Sequence, residues 1–116
     1  MRIDGPSLRA RIYIGEADHH EGKPLFQAIV ALLRERKVAG ATVLRGIEGF
    51  GASTHLHTTR LLRLAEDLPI VIEVVDQEDR LRALLPELDA MVGDGLITLE
   101  EVEVHTYRAS GATTRH

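Results

Sequence analysis

The chain has no cysteine and no tryptophan, and only two tyrosines and two phenylalanines. Without cysteine, neither a disulfide framework nor a thiolate metal site is available. An aromatic content of 3% and a net charge of −4 remove what general nucleic-acid binding requires, a basic field and, for single strands, stacking rings. No apolar run approaches the roughly 20 residues that cross a bilayer, and no stretch resembles a signal peptide. These absences predict a soluble, cytoplasmic protein that is not membrane-inserted and has no nucleic-acid partner. At 116 residues the expectation is one domain with little core to spare, spanning 1–116, with its core over about 8–108 and a disordered tail at 109–116.

The apolar residues that remain are strongly patterned. Leu8, Ala10, Ile12 and Ile14 alternate with Arg9, Arg11 and Tyr13, the period of a half-buried strand over Leu8 to Ile14. A polar loop follows from Gly15 to Lys23, and Pro24 suits a first helical turn. Leu25, Phe26, Ile29, Val30, Leu32, Leu33 and Val38 then recur at helical spacing, predicting a helix that stops near Ala39 and Gly40. A second strand is expected over Ala41 to Ile47, then a mobile loop over Ala52 to Thr59, and Arg60 to Leu68 stays open between helix and strand. Ile70 to Val75 is apolar and β-branched, a central strand. Asp76 with Asp79 resembles a capping box ahead of Leu81, Leu84, Leu85, Leu88, Met91 and Val92, a second helix that Pro86 should bend. In the last strand the apolar phase shifts from Ile97 and Leu99 to Val102 and Val104, predicting a bulge near Glu100 and Glu101.

The order is β-α-β, β-α-β: an α+β, ferredoxin-like arrangement, an antiparallel sheet with both helices on one face. Ile70, Ile72 and Val74 point one way in the central strand, and Val71 and Val75 point the other. The second face therefore needs cover, and a homo-oligomer supplies it. Two glycine turns, Gly49-Phe50-Gly51 and Gly93-Asp94-Gly95, stand at strand ends. There backbone N–H groups can approach a phosphate closely.

Gly40-Ala41-Thr42-Val43, Gly49-Phe50-Gly51 and Gly93-Asp94-Gly95, in that order, resemble the PII signal-transduction superfamily over most of Leu8 to Val104. The fuller run Ala41 to Gly51, with Asp67-Leu68-Pro69, is closer to an uncharacterised PII-like branch than to the nitrogen-regulatory proteins. The resemblance implies a homotrimer that is not an enzyme, binds an adenine nucleotide in clefts between subunits, and docks a flexible T-loop on a target protein such as a membrane transporter. Carried over, Thr42 faces the adenine, Gly49, Phe50 and Gly51 line the cleft at the T-loop base, and Gly93 and Gly95 offer backbone to the phosphates from the neighbouring subunit. Ala52, Ser53 and Asp94 extend those backbone donors, with Arg45 and Arg108 as candidate cations.

Leu96 stands where nitrogen-regulatory proteins carry lysine, Ala52 and Ser53 where they carry glutamine and lysine, and their final Arg-x-Arg is replaced by His105-Thr106-Tyr107-Arg108. With few cations left, AMP or ADP should bind better than ATP. No tyrosine lies in the loop, so uridylylation has no acceptor there. Arg45 in its apolar strand suits either a phosphate or an ion pair with Glu48 or Glu73. His55 and His57, with His19 and His20 from a neighbour, leave open a metal-binding trimer of the CutA kind; a third alternative is a small ferredoxin-like enzyme using His55 or His57 as base. Lys23, ahead of a helix N-terminus, is a further candidate anion ligand.

Overall fold

The computed structural model describes residues 3, 5–52 and 67–109. Ser53, His55 and His57, the expected mobile loop beyond Ala52, the undecided segment 60–66 and residues 110–116 of the expected tail lie outside the described residues.

Strand β1 (Ser7–Gly15) buries Leu8, Ala10, Ile12 and Ile14 on one face, as its period of two requires. The polar stretch expected to be a loop contains a small hairpin, β2 (His19–His20) and β3 (Lys23–Pro24). Glu21 and Gly22, with φ of 51° and 82°, make the tight turn with φ > 0 at both central positions that matches strand twist. A glutamate in place of asparagine or glycine hides that turn from the sequence.

Helix α1 (Leu25–Glu35) follows Pro24, which occupies the N-cap position. It ends short of the expected Ala39 and Gly40. Lys37 takes φ 59°, its N–H reaches the Arg34 carbonyl at 3.0 Å, and the Val38 N–H reaches that of Leu33 at 3.2 Å. That is a Schellman stop with lysine where glycine is usual, clipped by Val38 packing on the core. Strand β4 (Ala41–Arg45) ends before the expected Ile47: the Gly46 N–H still reaches the Pro69 carbonyl at 2.7 Å, but proline has no N–H to return the bond.

Strand β5 (Pro69–Gln77), helix α2 (Glu78–Met91) and strand β6 (Leu96–Val102) complete the described fold. The strands run antiparallel in the order β4-β5-β1-β6. Leu25, Ile29 and Leu33 of α1 and Leu81, Leu84 and Leu88 of α2 share one core with the buried faces of β1 and β5. Both helices therefore lie on one side, as a ferredoxin-like fold demands. Each of these large side chains, once buried, contributes about 1.5–3 kcal/mol.

Two local expectations are corrected. Asp76 is not part of a capping box: Gln77 holds the N-cap position without a side-chain bond, and the Asp76 carboxylate, fully buried, binds the Ala39 and Gln77 N–H groups and the Arg80 side chain. The β6 register runs unbroken from Ser7↔Val102 to Tyr13↔Leu96, so there is no bulge. The apolar phase shifts because Val102 belongs to the helix-free face, whereas Glu101, opposite Leu8 on the helix side, stays exposed. Helix α2 continues through Pro86, which is exposed, so water can reach the carbonyl freed at Arg82.

Candidate functional site

The helix-free face is laid out in cross-strand rows. At one end Leu44, Val71, Tyr13 and Leu96 are register partners across all four strands. Leu44 and Leu96 are 50% and 55% exposed, and Ile47 and Phe50 just beyond β4 reach 94% and 76%. The next row, Thr42, Glu73, Arg11 and Thr98, is polar. Arg11 Nε binds Glu73 Oε2 at 2.8 Å, and Arg9 binds Glu100 Oε1 at 2.8 Å. The bond to Glu73 holds the Arg11 guanidinium above its ordinary pKa, and the bond from Arg9 holds the Glu100 carboxyl below its own. The face expected to be apolar is therefore apolar at this end and crossed by ion pairs in the middle.

Beyond that row, about 13 Å from Gly46 at the ordinary rise along a strand, Thr42 lines a cavity of about 440 Å³. Glu73 gives it a second polar group, and Ile3, Val75, Val104 and Tyr107 give it apolar walls. The chain reaches this point from β6 at the opposite edge. The Tyr107 hydroxyl donates to the Ala39 carbonyl at 3.0 Å, and Arg108, exposed, follows at the same end.

At the other end of β4 the turn is built on Pro69. A Cβ on Gly46 would lie 3.0 Å from the Pro69 ring and one on Gly49 3.3 Å from it. The Glu16 N–H binds the Leu68 carbonyl at 2.8 Å and the Ala17 N–H binds Asp67 Oδ1 at 3.2 Å, which ties the approach to β5 to the end of β1. Arg45 lies on the helix side, opposite Ile70. Its partner is neither Glu48 nor Glu73 but Glu16, at 3.1 Å.

The second glycine turn starts β6 at the same end of the sheet but at the opposite edge. A Cβ on Gly95 would meet the Tyr13 carbonyl oxygen and Val92 Cγ1, both at 2.8 Å. Close packing inside the chain thus explains Gly95. A Cβ on Gly51 or Gly93 would meet no other atom of the described residues within 4 Å, and neither takes a positive φ, so packing among the described residues does not call for glycine at either. Three strand spacings, about 14 Å, separate β4 from β6, and one copy does not bring Gly49, Phe50, Gly51 and Ala52 together with Gly93, Asp94 and Gly95.

Tyr107, Val75 and Gly46 were not singled out for the site from the sequence; a lone tyrosine after the last strand gives no periodic signal. Among the described residues no three His, Asp or Glu side chains gather as metal ligands: His19 is exposed, and His20 lies 3.8 Å from Glu21. Lys23 is exposed beside them, lining a groove with His20 and Gln27. A larger groove of about 550 Å³ between α1 and β4, lined by Phe26, Val30 and Val43, holds none of the expected ligand residues. No helix among the described residues is long and apolar enough to cross a membrane.

The family DUF190, "Uncharacterized ACR, COG1993", matches residues 7–104. A UPF0166 protein of Aquifex aeolicus (strain VF5) is 38% identical over 104 residues, covering 90% of this chain and 97% of the relative. A UPF0166 protein of Methanocaldococcus jannaschii is 33% identical over 96 residues, covering 82% and 88%. Among solved structures, CPII from Thiomonas intermedia K12 bound to ADP and bicarbonate aligns with a TM-score of 0.55 at 19% identity, over 88% of this chain and 91% of CPII. CPII bound to ADP, AMP and acetate aligns at 0.56 and 19%, over 87% and 90%. At that identity the likeness is one of fold, and it is the PII-like fold expected from the glycine motifs. The chain belongs to the DUF190 (UPF0166) family.

Proposed function

We propose that this protein is a trimeric, non-enzymatic sensor of an adenine nucleotide, AMP or ADP in preference to ATP, bound between subunits. The cavity at Thr42 carries the proposal: it stands at the head of the strand whose other end opens into Gly49, Phe50 and Gly51. A nucleotide lying along β4 puts its base at Thr42 and its phosphates at the glycine turn, where backbone N–H groups receive them. Gly93, Asp94 and Gly95 are too far away in the same chain and reach those phosphates from a neighbouring copy. A Cβ at Gly51 or Gly93 would meet no other atom of the described residues within 4 Å, which leaves room for ligand and neighbour to approach there.

The row of Leu44, Val71, Tyr13 and Leu96, exposed at its two edges and half-buried between them, and extended by Ile47 and Phe50, is the surface that the copies bury against one another. CPII, with the same fold, binds ADP and AMP, which supports the ligand class. The signal then passes through the segment after Gly51 to a target protein, a membrane transporter being the kind the superfamily suggests, and the protein works in the cytoplasm. A thermal-shift panel tests this. Stabilisation by AMP and ADP without turnover supports the sensor, stabilisation by Zn²⁺ or Cu²⁺ alone supports the histidine metal site instead, and release of product supports an enzyme.

A further inference from the structure

We propose that Tyr107 is the aromatic wall on which the ligand's heterocycle stacks, an inference that rests on the adenine-nucleotide proposal above. The Thr42 cavity is suited to an uncharged, flat group. Among the described residues no lysine, arginine or histidine lines it, and its acidic member, Glu73, already has Arg11 at 2.8 Å. A phosphate would stand there beside a carboxylate whose cation, Arg11, is already paired with it, which burial makes costly. Ile3, Val75 and Val104 are aliphatic, leaving Tyr107 as the aromatic ring among the lining residues.

That ring is held in place before a ligand arrives. Its hydroxyl donates to the Ala39 carbonyl at 3.0 Å, and the N–H of Ala39 is itself fixed by buried Asp76 at 2.9 Å. To reach Ala39 the chain leaves β6 at one sheet edge and ends beside β4 at the other. Ordering such a crossing costs entropy. A ring already ordered loses little more when a base stacks on it, and its π face accepts a purine without reading phosphate number. Tyr107 should therefore set affinity for the nucleoside end, while the glycine turns discriminate among phosphates.

The sequence supplies its own reporter. With no tryptophan and only Tyr13 besides Tyr107, Tyr13→Phe leaves the fluorescence of one ring. We expect adenosine and AMP to change that fluorescence saturably. Tyr107→Leu should weaken both ligands about tenfold or more, by equal factors, and Tyr107→Phe should stay within about threefold of wild type. Wild-type affinity in Tyr107→Leu, or unchanged fluorescence in Tyr13→Phe at saturating AMP, would overturn the stacking role while leaving the nucleotide site standing. Failure of the wild-type protein to bind any adenine compound would overturn both. The fluorescence arm decides even if Tyr107→Leu does not fold.

Discussion

The buried carboxylate of Asp76 accepts a hydrogen bond from the backbone N–H of Ala39 at 2.9 Å. Asp76 closes β5 in sequence, yet this bond fixes the chain just before β4. Arg80, one helical turn on, pairs with the same carboxylate at 3.3 Å and donates to the Lys37 carbonyl at 2.7 Å. One end of α2 thus closes the end of α1, where carbonyls lack helical partners and a cation is favoured. The entry to β4, and with it the position of Thr42, depends on this contact.

Replacing Asp76 with alanine should therefore cost on the order of 3 kcal/mol, because it leaves the half-buried N–H groups of Ala39 and Gln77 and the Nε of Arg80 without their acceptor. Asp79→Ala, which removes only an exposed bond to the Arg80 N–H, should cost less than about 1 kcal/mol. Urea denaturation of the two variants gives the comparison. A larger loss at Asp79 would mean that the capping box suggested by the sequence is the true contact.

The same residue shows where sequence legibility stops. The strands and helices were legible because each buries one face with a clear period, so Leu8, Ala10, Ile12 and Ile14, or Leu81, Leu84 and Leu88, declare themselves. Asp76 was visible as a polar residue before a helix, but a cap and a long-range clamp look alike in sequence. The stop of α1 at Glu35 was hidden by a lysine in a position that usually signals through glycine. At the site, the glycine turns were legible as turns. Tyr107 and the Ala39 carbonyl are 68 residues apart, and no local pattern joins them.

The glycines divide into two groups that substitution should separate. Gly95→Ala forces a Cβ to within 2.8 Å of a backbone oxygen and should destabilise the fold by about 1–3 kcal/mol. Gly51→Ala and Gly93→Ala add a Cβ that meets no other atom of the described residues within 4 Å and should leave stability within about 0.5 kcal/mol, while weakening AMP binding. Melting curves and titrations on the three proteins test this. Loss of stability at Gly51 or Gly93 with binding intact would assign them to folding alone.

Assembly should depend on the apolar row. Val71→Asp introduces a carboxylate between Tyr13 and Leu44 and should convert a trimer at micromolar concentration into monomers, as read by light scattering. A wild-type monomer would remove the inter-subunit cleft.

Acid should weaken the fold through its surface pairs. Hydrogen bonds from Arg36 and Arg9 hold the Glu87 and Glu100 carboxyls below the ordinary value of 4.5. In that window the unfolded chain binds more protons than the folded one. The pairs' contribution is full above 4.5 and is lost as the pH falls through the lower folded values. Glu87→Gln should flatten the decline of the urea midpoint on acidification below about pH 4.5, and an unchanged slope would show that the Arg36 pair is not what titrates.

Calorimetric titration of the wild-type assembly with AMP, ADP and ATP tests the central claim most directly. On the proposed site, backbone donors at the glycine turns suit one or two phosphates, and Leu96 and Ser53 stand where the nitrogen-regulatory proteins carry lysines that would match a third. Each charge-assisted bond missing costs about 1.5–3 kcal/mol, so AMP or ADP should bind about tenfold or more tightly than ATP. Tightest binding by ATP would contradict this account of the phosphate end, and no heat with any of the three would contradict the nucleotide site itself.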